Sequence, residues 1–210
     1  MRLLLLLAAT AALATPADLP RTLKGIENRY NNARTLEVAF EQTMSVNGRG
    51  RRTESGKLSL RKPGRMRWDY SSPAGKLFLS DGKLIYFYSP STNRVEKMTV
   101  KETEDMRAPL AFLLGRLDFS RDFRSYLTTP DGDNLRIKAL PKSDKLPYSE
   151  VEFIATPDYH ILSLTVTGRD QSIMEFRFTD EKINPSLSDR LFEFSAPVGA
   201  QIVDLTSSSN

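Results

Sequence analysis

The chain has no cysteine, one histidine and one tryptophan in 210 residues. The missing thiols exclude disulfides, a thiolate nucleophile and any cysteine-based metal site. The lone histidine, His160, opens a strand in "PDYHILSL" with no serine or acidic motif arranged around it. It reads as a surface or turn residue, which leaves nucleophilic catalysis with a histidine base without support. There is no G-x-S-x-G, no glycine-rich phosphate loop and no HExxH. A large excess of one charge is missing too: 30 Lys and Arg stand against 26 Asp and Glu, whereas a nucleic-acid binder shows a clustered excess. Glu102 with Glu104 and Asp105 reads as a solvated helix start, where anions favour the dipole. "DGDN" at 131–134 lacks the remaining ligands of a calcium loop and reads as a turn. No metal or cofactor is implied.

What is present is ordinary for a soluble globular protein: 40% hydrophobic and 27% charged residues, room for one domain. The opening "MRLLLLLAATAALA" has a basic n-region at Arg2 and an apolar run from Leu3 to Leu7. Ala12-Leu13-Ala14 then satisfies the small-x-small cleavage rule, so residues 1–14 are expected to be a signal peptide. The run is too short to span a bilayer. With no cysteine behind it to acylate, the exported chain is expected to be free in solution. Residues 15–206 are expected to form a single domain, with 207–210 a loose tail.

The period of the apolar residues changes along that domain. Leu19, Leu23, Ile26, Tyr30 and Ala33 form one stripe, which predicts a helix within 17–36, with Asp18 as N-cap and Pro20 in the first turn. From residue 37 the period is two. The strands expected are "LEVAFEQTMSV", "KLSLRK", "RMRWDY", "KLFLS", "KLIYFYSP", "NRVEKMTVK", "NLRIKAL", "SEVEFIAT", "ILSLTVTG", "SIMEFRFT" and "LFEFSAP". "GRGRRTES" reads as a basic loop, and Pro63-Gly64 and Asp81-Gly82 as turns. Helical spacing returns once, over 104–117, in Met106, Leu110, Leu113, Leu114 and Leu117. About 11 short strands with tight turns predict a mainly β fold with some helix. The expected form is an incomplete, unclosed antiparallel β-barrel under a helical lid, because an open sheet must cover its edge and its apolar face.

Side-chain parity sorts the basic stretch "GKLSLRKPGRMRWDY" into two faces. Lys57, Arg61, Arg65 and Arg67 share the wet face, where the arginines are available to anionic membranes or partners. Leu58, Leu60, Met66, Trp68 and Tyr70 share the apolar one. Lys62 alone breaks the pattern: parity sends this cation inward, either to snorkel at the rim or to meet a polar group at a cavity mouth. The apolar faces, rich in Met and Phe, suit either a solid core or a flexible apolar ligand.

These residues resemble a known family. "LRKPGRMRWDYSSP" followed by "SDGKLIYFYSP" is similar to the LolA family of periplasmic lipoprotein carriers, whose pattern is a basic pair and Pro, a Trp strand, and an S-D-G hairpin closing in Y-x-P. Phe40 and Gln42 in "LEVAFEQT" resemble its F-x-Q strand, "APLAFLLGR" its central helix, and "SDRLFEFSAPVGAQIVD" its closing segment with Asp189, Phe192 and Phe194. The resemblance implies a single-domain, monomeric carrier in the periplasm. It implies acylated lipoproteins as cargo, an inner-membrane ABC exporter as donor and an outer-membrane acceptor. It implies acyl contacts from Phe40, Leu58, Leu60, Met66, Trp68, Tyr70, Tyr86, Tyr88, Leu110, Leu113 and Leu114, and lid control at Lys62, where the family often has arginine. A lipid-sensing regulatory module on the same barrel is the alternative, although such chains normally carry a second domain or an anchor. An envelope hydrolase would need a catalytic group that the sequence does not offer.

Overall fold

The computed structural model describes residues 18–99 and 117–206. Helix α1 (Leu19–Asn32) precedes six strands: β1 (Thr35–Val46), β2 (Arg49–Arg61), β3 (Arg65–Ser72), β4 (Leu77–Asp81), β5 (Leu84–Ser89) and β6 (Arg94–Thr99). A single-turn helix α2 (Phe119–Asp122) leads into β7 (Phe123–Asp131), β8 (Asn134–Pro141), β9 (Tyr148–Ala155), β10 (Ile161–Gly168) and β11 (Ser172–Ile183). A 3-10 turn (Asp189–Phe192) and β12 (Gln201–Asp204) follow. The strands make one sheet in the order β12-β6-β5-β4-β3-β2-β1-β11-β10-β9-β8-β7. Two meanders are thus sewn together along β1 and β11, and the sheet stays open between the edges β7 and β12. Every pairing is antiparallel except β12 on β6. The mainly β, unclosed sheet with a helical cover is therefore the fold that the alternation predicts.

Several local expectations are corrected. "GRGRRTES" is not a loop but lies mostly in the first half of β2, which pairs with β1 as far out as Arg49 opposite Val46. "LFEFSAP" is not a strand: Phe192 ends the 3-10 turn and the chain beyond it is irregular. Two strands were not expected, β7 and the four-residue β12. Among the described residues the strands number 12. The expected signal segment, the helix over 104–117 with Leu110, Leu113 and Leu114, and the tail 207–210 fall outside the described residues, Leu117 excepted.

Helix α1 forms as its sequence predicts. The Asp18 side chain accepts from Arg21 N, Pro20 sits in the first turn, and Ile26 and Tyr30 are buried against the sheet. Leu19 and Leu23 pack at the margin of the same cluster. Gly25, a poor helix former, has a packing reason. A Cβ there would lie 2.4–2.6 Å from three ring atoms of Tyr159, a residue itself held at φ 69. Gly25→Ala would ordinarily strengthen a helix by about 1 kcal/mol. Here it is expected to destabilise the protein by about 1–3 kcal/mol, the usual range for overpacking. Urea denaturation checks the sign; a gain in stability would show that the Tyr159 ring moves away freely.

The two central hairpin turns brace one another. The buried Ser80 hydroxyl donates to Gly64 O at 2.9 Å and accepts from Gly82 N at 3.3 Å, while Asp81 Oδ1 accepts from Lys83 N and Leu84 N, both at 2.8 Å. Gly64 and Gly82 both have positive φ, 70 and 100, where glycine carries no Cβ penalty.

Candidate functional site

Residues that pair directly across a sheet share a face, so register decides which side chains meet. On one side of the sheet the rungs read Leu36–Leu60–Met66, Val38–Leu58–Trp68–Phe78 and Phe40–Gly56–Tyr70. The second meander continues the same face with Phe176, Leu164, Phe153 and Ile137. Together with Ile26 and Tyr30 of α1 these residues form one apolar cluster, so this is the inner face and α1 is its cover. Trp68 sits at its middle, edge-on to Phe40 at 4.7 Å and tilted against Phe176 at 5.8 Å.

The predicted acyl-contact residues divide on this basis. Phe40, Leu58, Leu60, Met66 and Trp68 are brought together, all buried on the inner face. Tyr70 stands half-buried at the end of the same face, its ring 5.2 Å from Phe40. Burial, and next the Glu54 carboxylate, push its phenol above the usual tyrosine range. Lys76 closes that end: its ammonium pairs with Glu54 at 2.6 Å and lies over the rings of Tyr70 at 4.3 Å and Phe87 at 5.5 Å. Tyr86 and Tyr88 are not part of the layer. Tyr86 pairs with Leu79 and Tyr88 with Leu77, on the face of Arg67 and Asp69. The inward residues of that hairpin are Phe78, Ile85 and Phe87.

Lys62 does turn inward, and it meets a polar group. Its ammonium donates to Tyr30 O and Asn31 O, both at 2.7 Å, the last-turn carbonyls of α1 that have no partner within the helix. A cation there also opposes the negative end of the helix dipole. Burial holds its pKa below the ordinary lysine value. Asn31 carries the connection onward: its side-chain amide donates to Leu117 O at 2.8 Å and its oxygen accepts from Leu117 N at 3.0 Å. Glu27, one turn earlier, accepts from Phe119 N at 2.9 Å. The polar edge of α1 thus binds both the β2–β3 turn and the chain entering α2.

The basic cluster has a different use from the one expected. Arg61 and Arg65 both bind the Asp189 carboxylate, and Arg61 also donates to Leu187 O. Arg67 is held by Asp69 at 2.7 Å and donates to Leu191 O at 3.2 Å. These arginines clamp the segment around the 3-10 turn onto the outer face. There Phe192 is buried under the Arg61 guanidinium, 5.8 Å from its ring, and Phe194 stacks on Tyr86 at 4.3 Å. Leu79 and Val95, both at 0% exposure, complete a second apolar layer that sequence reasoning missed.

A partly buried polar junction was missed as well. Glu181 of β11 accepts from Arg29 Nε at 3.0 Å and Nη2 at 2.6 Å, and from the Tyr30 hydroxyl at 2.6 Å. The Tyr30 oxygen in turn accepts from Ile161 N at 3.0 Å. His160 is not a plain surface residue: its Nδ1 is 3.0 Å from Arg29 Nη2 and 3.2 Å from Glu181, and its Nε2 is 2.9 Å from Asp158. Burial, and then Glu181, hold the Tyr30 phenol far above the tyrosine range, so it remains a donor. Arg29 meets His160 and Glu181, and Tyr30 meets Ile161 and Glu181, across more than 130 positions of the chain, beyond any local pattern.

The described residues thus form an open, almost wholly antiparallel sheet whose inner face is a continuous apolar layer, covered by a helix held at its polar edge. The family described as "Outer membrane lipoprotein carrier protein LolA" matches residues 31–195, and the chain belongs to this family. An outer-membrane lipoprotein carrier protein of Nitrosomonas europaea is 25% identical over 205 residues, covering 96% of this chain and 98% of the relative. One from Histophilus somni strain 2336 is 28% identical over 182 residues, 85% of each. Among solved structures, an uncharacterized conserved protein from Thermus thermophilus superposes with a TM-score of 0.53 at 12% identity, over 88% of this chain and 98% of that one. That likeness concerns the fold alone.

Proposed function

We propose that the chain, exported and trimmed near Ala14, shields the acyl chains of lipid-modified lipoproteins in the periplasm. It takes them from an inner-membrane ABC exporter and delivers them to an outer-membrane acceptor. The observation that carries the reading is the apolar inner layer under α1, from Phe40 through Leu58, Trp68 and Phe78. Each methylene removed from water is worth roughly 0.8 kcal/mol, so acyl chains enter such a layer readily. The harder requirement is release. Helix α1 itself covers the inner face with Ile26, Tyr30, Leu23 and Leu19. Cargo therefore exchanges one apolar contact for another, which keeps net affinity modest and couples loading to displacement of the helix, a shift between two populated states. Lys62, holding the C-terminal carbonyls of α1, sets how readily that helix leaves. Direction comes from an acceptor with a better site, and this chain need hydrolyse nothing.

The test uses the chain from Thr15 and a synthetic triacylated lipopeptide. Saturable binding is expected, weakened at least tenfold by a carboxylate in the layer at the half-buried Phe78 (Phe78→Glu), with melting curves to verify the fold. Lys62→Met is expected to change the release rate in stopped-flow measurements. Absence of saturable binding would sink the carrier reading; unchanged release would remove Lys62 from the mechanism.

A further inference from the structure

Among the described residues, two buried side-chain polar atoms have no hydrogen-bond partner: Ser59 Oγ and Trp68 Nε1. Ser59 lies on the outer face, opposite Glu37 and Arg67, and its hydroxyl rotates freely. Trp68 is the more demanding case. The indole N–H is a donor only and its direction is fixed by the ring. The ring is 97% buried, given its 3% exposure, at the centre of the inner layer, between Leu58 and Phe78 on neighbouring strands and against Phe40 and Phe176. None of these side chains offers an acceptor, and the backbone carbonyls of a central strand are committed to the ladder. A buried donor left unmade is costly, and native proteins rarely keep one without a use. Phenylalanine would supply a flat aromatic side chain without that cost. The donor is kept in the layer that the proposed function assigns to acyl chains, and an acyl chain brings one acceptor type into an apolar site, its carbonyl oxygen.

We propose that Trp68 is the polar anchor of this layer, its Nε1–H donating a hydrogen bond to the carbonyl oxygen of a bound ester- or amide-linked acyl chain. The proposal rests on the carrier reading and sharpens it. The site would select acyl lipids over plain alkyl chains of equal length and would fix how deep the chain sits. Leu58, Phe78 and Phe40 supply affinity without depth, because methylenes slide along them; the indole supplies register.

The test compares two synthetic lipopeptides with identical chains, one ester-linked and one ether-linked, on the protein and on Trp68→Phe. Wild type is expected to bind the ester form about tenfold more tightly, and Trp68→Phe to bring the two forms within about twofold of each other. Because Trp68 is the only tryptophan, its emission reports directly: a shift to longer wavelength is expected with the ester form and not with the ether form. Equal affinities and equal emission in wild type, or a preference that survives in Trp68→Phe, would overturn the anchor while leaving the carrier reading intact. No binding of either lipopeptide would overturn both. If Trp68→Phe does not fold, the wild-type ester-to-ether ratio and emission shift decide alone.

Discussion

Gly56→Val is expected to abolish cooperative folding. Gly56 stands in β2 between Phe40 and Tyr70, at a bulge where the register shifts against β3. A Cβ placed on it would lie 2.1 Å from the backbone oxygen of Asp69 and 2.9 Å from the Cα of Tyr70. Those atoms are main chain in the middle of the sheet, and they cannot swing aside as a flexible side chain would. Strands β2 and β3 must part, which breaks ladder hydrogen bonds on both sides and lifts Trp68 off Leu58. Without a side chain at Gly56, the rings of Phe40 and Tyr70 also meet edge to face across β2, a contact that valine would block. The cost exceeds the 1–3 kcal/mol of ordinary overpacking and is comparable to the whole stability of a domain this size, about 5–15 kcal/mol. Near-ultraviolet circular dichroism and thermal melting check it. A cooperative melt within a few degrees of wild type would show that the bulge opens without loss.

Glu181→Leu carries the second large effect. Glu181 is the common acceptor for Arg29 and the Tyr30 hydroxyl, with 11% of its side chain exposed. Leucine keeps the bulk and removes both lone-pair sets. Arg29, 23% exposed, is then left with a partly buried charge beside His160, and Tyr30 loses its carboxylate. Breaking a buried pair by deleting one partner typically costs about 3–5 kcal/mol. The exposure of Arg29 lets water return, so about 3 kcal/mol is expected, a fall in melting temperature of roughly 6–12 °C at this chain length. Glu181→Gln, which still accepts from Tyr30, should lose about 1 kcal/mol. If the two variants melt together, the charge contributes nothing and the junction acts by shape alone.

The legible parts of the fold are those decided within a dozen residues. Alternation sorted Leu58, Leu60, Met66 and Trp68 from Arg61, Arg65 and Arg67, and Asp18 and Pro20 marked the start of α1. Parity alone sent Lys62 inward. What it met there, the α1 carbonyls, is a tertiary contact. Tyr86 and Tyr88 entered the acyl-contact set through the family resemblance, not through parity. Carrying parity through the Asp81-Gly82 hairpin would have put Phe78 opposite Phe87 and both tyrosines outside. β7 escaped notice because this edge strand is mostly exposed, with Leu127 64% exposed and Pro130 near its end, so no burial pattern marks it. Conversely, Phe192 and Phe194 alternate like strand residues although they fill the outer layer from a turn and an irregular segment. The use of the basic cluster depended on Asp189, more than 120 positions away, and no local count of charges reveals such a partner.

The seam between β1 and β11 has a consequence in time as well as in space. Thr43 hydrogen-bonds Glu175 across 132 positions, and Arg29 reaches Glu181 across 152. The first strand pairs early with β2, but its other edge, and the Arg29 end of the first helix, are completed only when β11 has emerged. Closing such distant contacts is entropically slow and gives long-range β topologies their low folding rates. A chain threaded out N-terminus first stays pliable for most of its length, and its greasy inner face is sealed by nearly the last residues to arrive.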